Sequence, residues 1–535
     1  MSKKKPRWIR NLVTFNRSHP RPDLPAYQQD VPQSDMLSGI LEKDLQQMKA
    51  IFDRSSDMVY REFELGKTQR GVLILLDGLV NMEVIDSDVL KPLLNYGKNL
   101  PKQSTVQLQE METLLQNEVI SAAQVSRGNN VQEVADHVLS GETALLIDGV
   151  KQALFISAKK WEMRSVEEPA TEAVIRGPRD GFTENLRTNT SLIRRRLKTP
   201  QLKMEALKVG RLSKTDIVIT YLDGIADEAV VAEVRERLNR IDIDAILESG
   251  YIEELIEDTP FSIFPQVTYT ERPDKVVGNL LEGKVGIIID NTPFALIVPI
   301  TFYEMLQATE DYYTRFVVAT AIRWLRFLFL VVALLFPSLY IAVTTFHQEM
   351  IPTTLLLSVA ASRETVPFPA LVEAVLMEIT FEGLREAGVR LPRPVGQAVS
   401  IVGALVIGEA AVEAGIVSDP MVIVVSITGI ASFIIPNFNQ GIAIRLLRFP
   451  IMILAGTLGL YGILLGILFI LIHMCRLRSF GVPYLAPLAP MHFGDFKDVL
   501  VRVPRWDMNE RSQETGKNNP QRIRSLLRPR PPKQR

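Results

Sequence analysis

Residues 394–433 read PVGQAVSIVGALVIGEAAVEAGIVSDPMVIVVSITGIASF, and the first part of this run, 395–417, decides what kind of protein the chain is. It is apolar enough, and at roughly 20 residues long enough, to cross a bilayer as a helix. Yet Gln397, Glu409 and Glu413 lie inside the apolar stretch. A carboxylate at membrane depth is costly unless it faces protein or water, so it marks a pathway or a pairing site. At about 100° per residue, Val395, Val399, Val402, Val406, Glu409 and Glu413 share one stripe. Gly396, Ser400, Gly403 and Ala410 form the neighbouring one, small residues that let helix backbones approach closely. Two readings stand. The acids sit at headgroup level or pair with an arginine. Alternatively, copies of this helix line an aqueous axis in an oligomer, with Val399, Val402 and Val406 as a dewetting constriction and Glu409 and Glu413 as a cation-favouring mouth.

Outward from this run, 535 residues imply more than one domain. The 47% hydrophobic content and mean hydropathy of +0.12 are high for a soluble chain, although 23% of residues are charged. The excess lies towards the C-terminus, which predicts a soluble α/β module followed by an all-α transmembrane domain. A net charge of -1 carries no electrostatic footprint for nucleic acid. One cysteine, Cys475, excludes a disulfide framework and a cysteine-rich zinc site, and five histidines without paired spacing offer no metal centre. Neither GxxxxGKS/T, a strand-linked GxGxxG nor HExxH occurs. The expectation is no enzyme, no cofactor and no metal. Residues 1–32 have a charged start without an apolar run behind it, so they read as a basic disordered tail rather than a secretory signal. The soluble module is therefore expected in the cytoplasm.

Within that module the sequence repeats itself. GVLILLDGLVN returns as DIVITYLDGIAD, and VADHVLSGETALLIDGVKQALFISAKKWEM from Val134 aligns without a gap on VVGNLLEGKVGIIIDNTPFALIVPITFYEM from Val276, placing Asp148 on Asp290. Each copy reads as strand, turn, amphipathic helices and a hairpin of apolar strands. Two tandem-duplicated α/β subdomains, 33–165 and 215–313, are predicted, joined by a linker over 166–214. The repeated aspartates read as turn formers. The linker's RGPRDGF loop carries Arg176 and Arg179, candidates for clamping a carboxylate or phosphate or for coupling the domains.

The membrane domain is expected over 314–480, with spans at about 327–346, 395–417, 421–435 and 450–474. Arg315, Arg323 and Arg326 mark its cytoplasmic side. An amphipathic helix over 368–387, with Glu373, Glu378, Glu382 and Glu386, is expected to lie at the interface. Four spans return the tail, 481–535, to the cytoplasm.

The runs EEPATEAVIRGPRDGFTENLRTNTSLIRRRLK from Glu167, SRETVPFPALVEAVLMEITFEGLREAG from Ser362 through the 394–433 stretch, and RSFGVPYLAPLAP from Arg478 resemble the A subunit of the nutrient germinant receptors of spore-forming bacteria, the GerA family. The resemblance implies a multi-pass protein of the spore inner membrane with its N-terminal domain in the spore core. It also implies a transporter-like B subunit that binds the nutrient, a lipoprotein C subunit, and germination that begins with ion release. Three roles stay open: an oligomeric nutrient-gated cation channel, a non-conducting signalling scaffold, and a secondary transporter.

Overall fold

Continuous apolar runs fill the middle of each sheet, and a strand with interleaved charges lies at one edge of each. In the computed structural model, which describes residues 36–65, 69–99, 125–159, 168–169, 171–390, 408–523 and 529, β1 (Met58–Leu65) alternates Arg61, Glu62 and Glu64 with Phe63 and Leu65 and sits at an edge. β2 (Gln69–Leu76), β4 (Thr143–Ile147) and β5 (Ala153–Ile156) are largely buried, as strands covered on both faces must be. With β3 (Val125–Gly128) they form an antiparallel sheet of order β1-β2-β4-β5-β3. α1 (Leu41–Ile51) and α3 (Val131–Leu139) cover one face, and a helical stretch that ends in α2 (Lys91–Asn99) covers the other.

The second sheet has the order β6-β7-β9-β10-β8, built from β6 (Leu202–Val209), β7 (Thr215–Leu222), β8 (Thr268–Thr270), β9 (Val285–Ile289) and β10 (Ala295–Val298). α4 (Leu186–Arg194) and α7 (Pro273–Leu280) pack on one face, α5 (Glu228–Arg240) and α6 (Ser249–Ile256) on the other. This corrects the expected linker: 166–214 contains α4 and β6, and β6 pairs with β7 along all eight of its residues. Lys203, Glu205 and Lys208 interrupt the apolar pattern of β6, which hides an edge strand from a reading based on hydrophobic runs.

Asp148 and Asp290 hold equivalent places. Oδ1 of Asp148 accepts the Leu41 N–H at 3.1 Å, and Oδ1 of Asp290 accepts the Leu186 N–H at 3.1 Å, the first residues of α1 and α4. Each carboxylate satisfies a helix-end donor that has no partner within its own helix.

The helical layer comprises α8 (Phe316–Phe346), α9 (Thr353–Arg363), α10 (Ala370–Arg390), α11 (Asp419–Phe433), α12 (Phe438–Leu458) and α13 (Leu460–Arg476). α8 and α12 are long and apolar enough to cross a membrane, and α11 and α13 are shorter apolar helices. The expected span 327–346 is the C-terminal part of α8, and the one expected at 421–435 is α11. The span expected at 450–474 is instead two helices, parted at Gly459, whose φ of 63° and ψ of -143° suit glycine. Hydropathy runs unbroken through that glycine, so no window average registers the turn. α13 folds back on α12 with Gly462 against Leu454 and Gly466 against Ile451 and Leu454. α10 overturns the interfacial expectation for 368–387, because Ala370, Glu373, Ala374, Met377 and Glu378 are buried inside the layer. After α13 a two-stranded hairpin, β11 (Arg478–Ser479) and β12 (Val482–Pro483), returns the chain to the second α/β unit, where Phe480 joins the core. The expected tail 1–32 and the residues 391–407 lie outside the described residues.

Candidate functional site

The helical layer packs around apolar clusters and carries buried ion pairs between its helices. Glu378 and Glu382 lie one turn apart on α10, and Arg445 and Arg448 lie one turn apart on α12, so one pair of acids meets one pair of guanidiniums. Arg448 pairs with Glu378, both almost fully buried, and its Nε donates to the Ala333 carbonyl of α8 at 2.8 Å. Arg445 lies 3.3 Å from Glu382, which also pairs with Arg385 at 3.3 Å. Arg385 then donates to Ser432 Oγ of α11 at 2.8 Å and covers the Phe433 ring at 4.5 Å. At the other end of α10, buried Glu373 pairs with Arg363 of α9 at 3.2 Å. It also accepts from Ser418 N at 3.1 Å and Ser418 Oγ at 2.8 Å. Through its carboxylates α10 thus holds α9, α12 and Ser418, the residue that opens α11. Removing one partner from such a buried pair costs about 3–5 kcal/mol, because the other charge is left desolvated.

A second buried network sits where α8 begins. Asp311 is 2% exposed and accepts from Arg323 Nε at 3.0 Å and Arg326 Nη1 at 2.7 Å. Arg323 reaches Asp498 of the C-terminal segment at 3.0 Å, and the Tyr312 hydroxyl donates to the same carboxylate at 2.8 Å. The guanidiniums of Arg323, Arg502 and Arg505 lie 5.5, 5.7 and 5.3 Å from the centre of the Tyr312 ring. Burial, and after it the Asp498 charge, holds the Tyr312 hydroxyl well above its ordinary pKa. Arg323 and Arg326, expected as markers of the cytoplasmic side, are spent on protein carboxylates. Beside this junction opens a cavity of about 710 Å³, lined by Glu172, Lys275, Glu304, Tyr313, Asp498 and Arg511 among others. The second α/β unit, the segment before α4 and the C-terminal segment all contribute to its wall.

The RGPRDGF loop is seated on the same junction. Arg176 is exposed, and Arg179 is exposed with Glu168 at 3.8 Å; the two guanidiniums share no ion-pair partner among the described residues. Asp180 pairs with Arg196 at 2.5 Å, the Pro178 carbonyl accepts from Arg272 at 2.9 Å, and Ile175 N donates to Glu310 at 2.6 Å. Gly177, at φ 149°, lies so close that a Cβ there would stand 2.9 Å from the Tyr313 ring.

Val399, Val402 and Val406 fall outside the described residues. Glu409 and Glu413 are described, both exposed on a short helical stretch over 408–413. The buried Glu373, Glu378, Arg448 and Asp311, with their partly exposed partners Arg363 and Asp498, were not singled out as site residues from sequence. The signal available was complementary spacing: acids four apart in one apolar helix and arginines three apart in another.

Comparison with known proteins places these networks in context. The profile of a family described as "Bacillus/Clostridium GerA spore germination protein" matches residues 46–514. The "Uncharacterized membrane protein YfkQ" of Bacillus subtilis (strain 168) is 49% identical over 91% of this chain and 93% of its own. "Spore germination protein KA" of the same organism is 47% identical over 94% of this chain and 92% of its own. The crystal structure of the N-terminal domain of the A subunit of the Bacillus megaterium spore germinant receptor GerK3 matches 50% of this chain and 98% of that domain at 36% identity, with a TM-score of 0.39.

Proposed function

The chain belongs to the Bacillus/Clostridium GerA spore germination protein family, and from that membership we propose that it is the A subunit of a nutrient germinant receptor in the spore inner membrane, acting as an oligomeric nutrient-gated cation channel. Copies of the segment that holds Val399, Val402 and Val406 surround one aqueous axis. The valines close it by excluding water, and Glu409 and Glu413 draw cations to its mouth. The observation that supports this reading is the exposure of Glu409 and Glu413, which form no ion pair among the described residues. Facing lipid they would be costly; facing water on an oligomer axis they are not.

In this reading a transporter-like B subunit binds the nutrient, a lipoprotein C subunit completes the receptor, and binding shifts the A-subunit oligomer from closed to open. The link from Glu373 to Ser418 joins the paired helix α10 to the chain just beyond Glu413. The two sheets of equal strand order, with Asp148 and Asp290 in matching roles, are read as a duplicated unit facing the spore core. The chain performs no catalysis and takes no cofactor.

Reconstitution in liposomes tests it. Val402→Ala is expected to leak cations without nutrient, and Glu409→Gln to lower cation flux. No flux from any variant would remove conduction and leave a signalling scaffold, which the buried pairing of α10 and of Asp311 would suit as a rigid relay. Flux that saturates with substrate would point to a transporter.

A further inference from the structure

Phe261 is 100% exposed, Tyr251 and Leu255, one turn apart on α6, are exposed, and so is Ile263, two residues beyond Phe261. The loop that carries Phe261 is nevertheless rigidly held. Gln266, fully buried, accepts from Thr259 N at 3.0 Å and donates to Thr259 O at 2.9 Å, and Ser262 N donates to Thr259 O at 3.0 Å. Asp258 accepts from Phe480 N at 2.6 Å and pairs with Arg237. A braced loop that holds a bare phenyl ring outwards forgoes the burial that a small rearrangement would give, which is the mark of an apolar surface met by something outside the chain.

What it meets follows from α13. Ser262 Oγ lies 2.9 Å from His473 Nε2, and the Phe264 ring lies 6.1 Å from the same imidazole. One turn beyond His473 the helix ends at Arg476, and Arg476 and Arg478 are exposed. Leu468, Phe469 and Ile472, just before that end, are exposed apolar residues. Cations that close an apolar helix sit at the headgroup level, so Phe261 is held at that level too.

We propose that residues 258–264 are a lipid-surface anchor. Phe261 and Ile263 enter the boundary between headgroups and acyl chains where α13 ends, and fix the second α/β unit against the bilayer. The proposal rests on the reading that α13 lies in the membrane. The contact is apolar in character, because Glu254 and Glu257 beside the loop offer nothing to an anionic surface.

The test uses the full-length chain carrying Cys475→Ser, with a single cysteine introduced as Phe261→Cys, Phe469→Cys or Ile40→Cys. Each is labelled with an environment-sensitive fluorophore and reconstituted in phosphatidylcholine–phosphatidylglycerol vesicles containing nitroxide lipids. Blue-shifted emission and strong quenching at positions 261 and 469, with neither at position 40 on the first α/β unit, is the expected result. Quenching at 469 while 261 behaves like 40 overturns the anchor and leaves α13 in the membrane. A probe at 261 shielded from both nitroxide lipid and aqueous iodide means that a second copy or another protein covers the loop, which overturns it equally. Absence of quenching at 469 removes α13 from the bilayer and the anchor with it.

Discussion

Asp57 and Arg194 lie 137 residues apart in the chain and meet as a bidentate ion pair, Nε and Nη2 of the arginine each 2.9 Å from a carboxylate oxygen. Their side chains are 4% and 1% exposed. Asp57 precedes β1 and Arg194 closes α4, with Arg194 Nη1 donating to the Leu202 carbonyl at 2.9 Å. Around them Ser56 N donates to Met204 O at 2.8 Å and Met204 N to Arg54 O at 3.0 Å, so the first α/β unit is joined to the edge strand of the second. Desolvating such a pair offsets most of its attraction; what it confers is a fixed relation between the units.

Arg194→Met alone leaves the Asp57 carboxylate buried without a counter-charge. A loss of about 3–5 kcal/mol is expected, read as a lower thermal midpoint of the purified chain. Adding Asp57→Leu should restore most of it, and an equal loss in the double variant would refute the account by charge burial.

Asp311→Asn withdraws the one negative charge shared by the buried guanidiniums of Arg323 and Arg326. A loss of about 3 kcal/mol is expected, with faster proteolysis between the second α/β unit and α8. Glu83→Gln, at a helix start in the first unit with no ion pair among the described residues, should leave both readings near the parent.

Gly462→Ala places a methyl group 2.1 Å from the Leu454 carbonyl oxygen, so α12 and α13 must part. Gly429→Ala meets nothing within 4 Å. Thermal melts in detergent should show the first destabilised by about 1–3 kcal/mol and the second close to neutral. Equal effects would mean that the hairpin does not pack as described.

Burial, with Glu257 and Glu248 close by, pushes the Glu253 carboxyl up to about 7. A carboxyl raised in the folded state favours folding most below its unfolded value near 4.5, and that advantage is lost as pH rises through 7. Glu253→Gln should therefore match the parent near pH 4.5 and exceed it at pH 8 by about 1 kcal/mol, a figure reduced for partial exposure. The urea midpoint of each protein at both pH values measures the difference, and a gap that does not change with pH would exclude this titration.

Much of this was legible in the residues. The resemblance carried by the 167–198 and 394–433 runs pointed to the family, and the apolar runs marked a sheet-containing region ahead of a helical one. Matched stretches around Asp148 and Asp290 announced equivalent turns, though not that each aspartate caps the helix ahead of its own sheet. Edge strand β6 is not legible as an apolar run because Lys203, Glu205 and Lys208 break its pattern, and Lys203 is buried in the fold with Asp53 beside it.

By itself, then, the sequence determined the family, the division into α/β sheets and apolar helices, and which residue types each element could bury. Tertiary structure alone decided that α10 lies inside the helical layer, that Arg323 and Arg326 face Asp311, and that one apolar run folds into two helices at Gly459. The reason is physical: periodicity and hydropathy report the average character of a local face. The burial of a charge depends on a counter-charge that chain folding brings from far away, and a reversal can turn on the backbone angles of a single glycine.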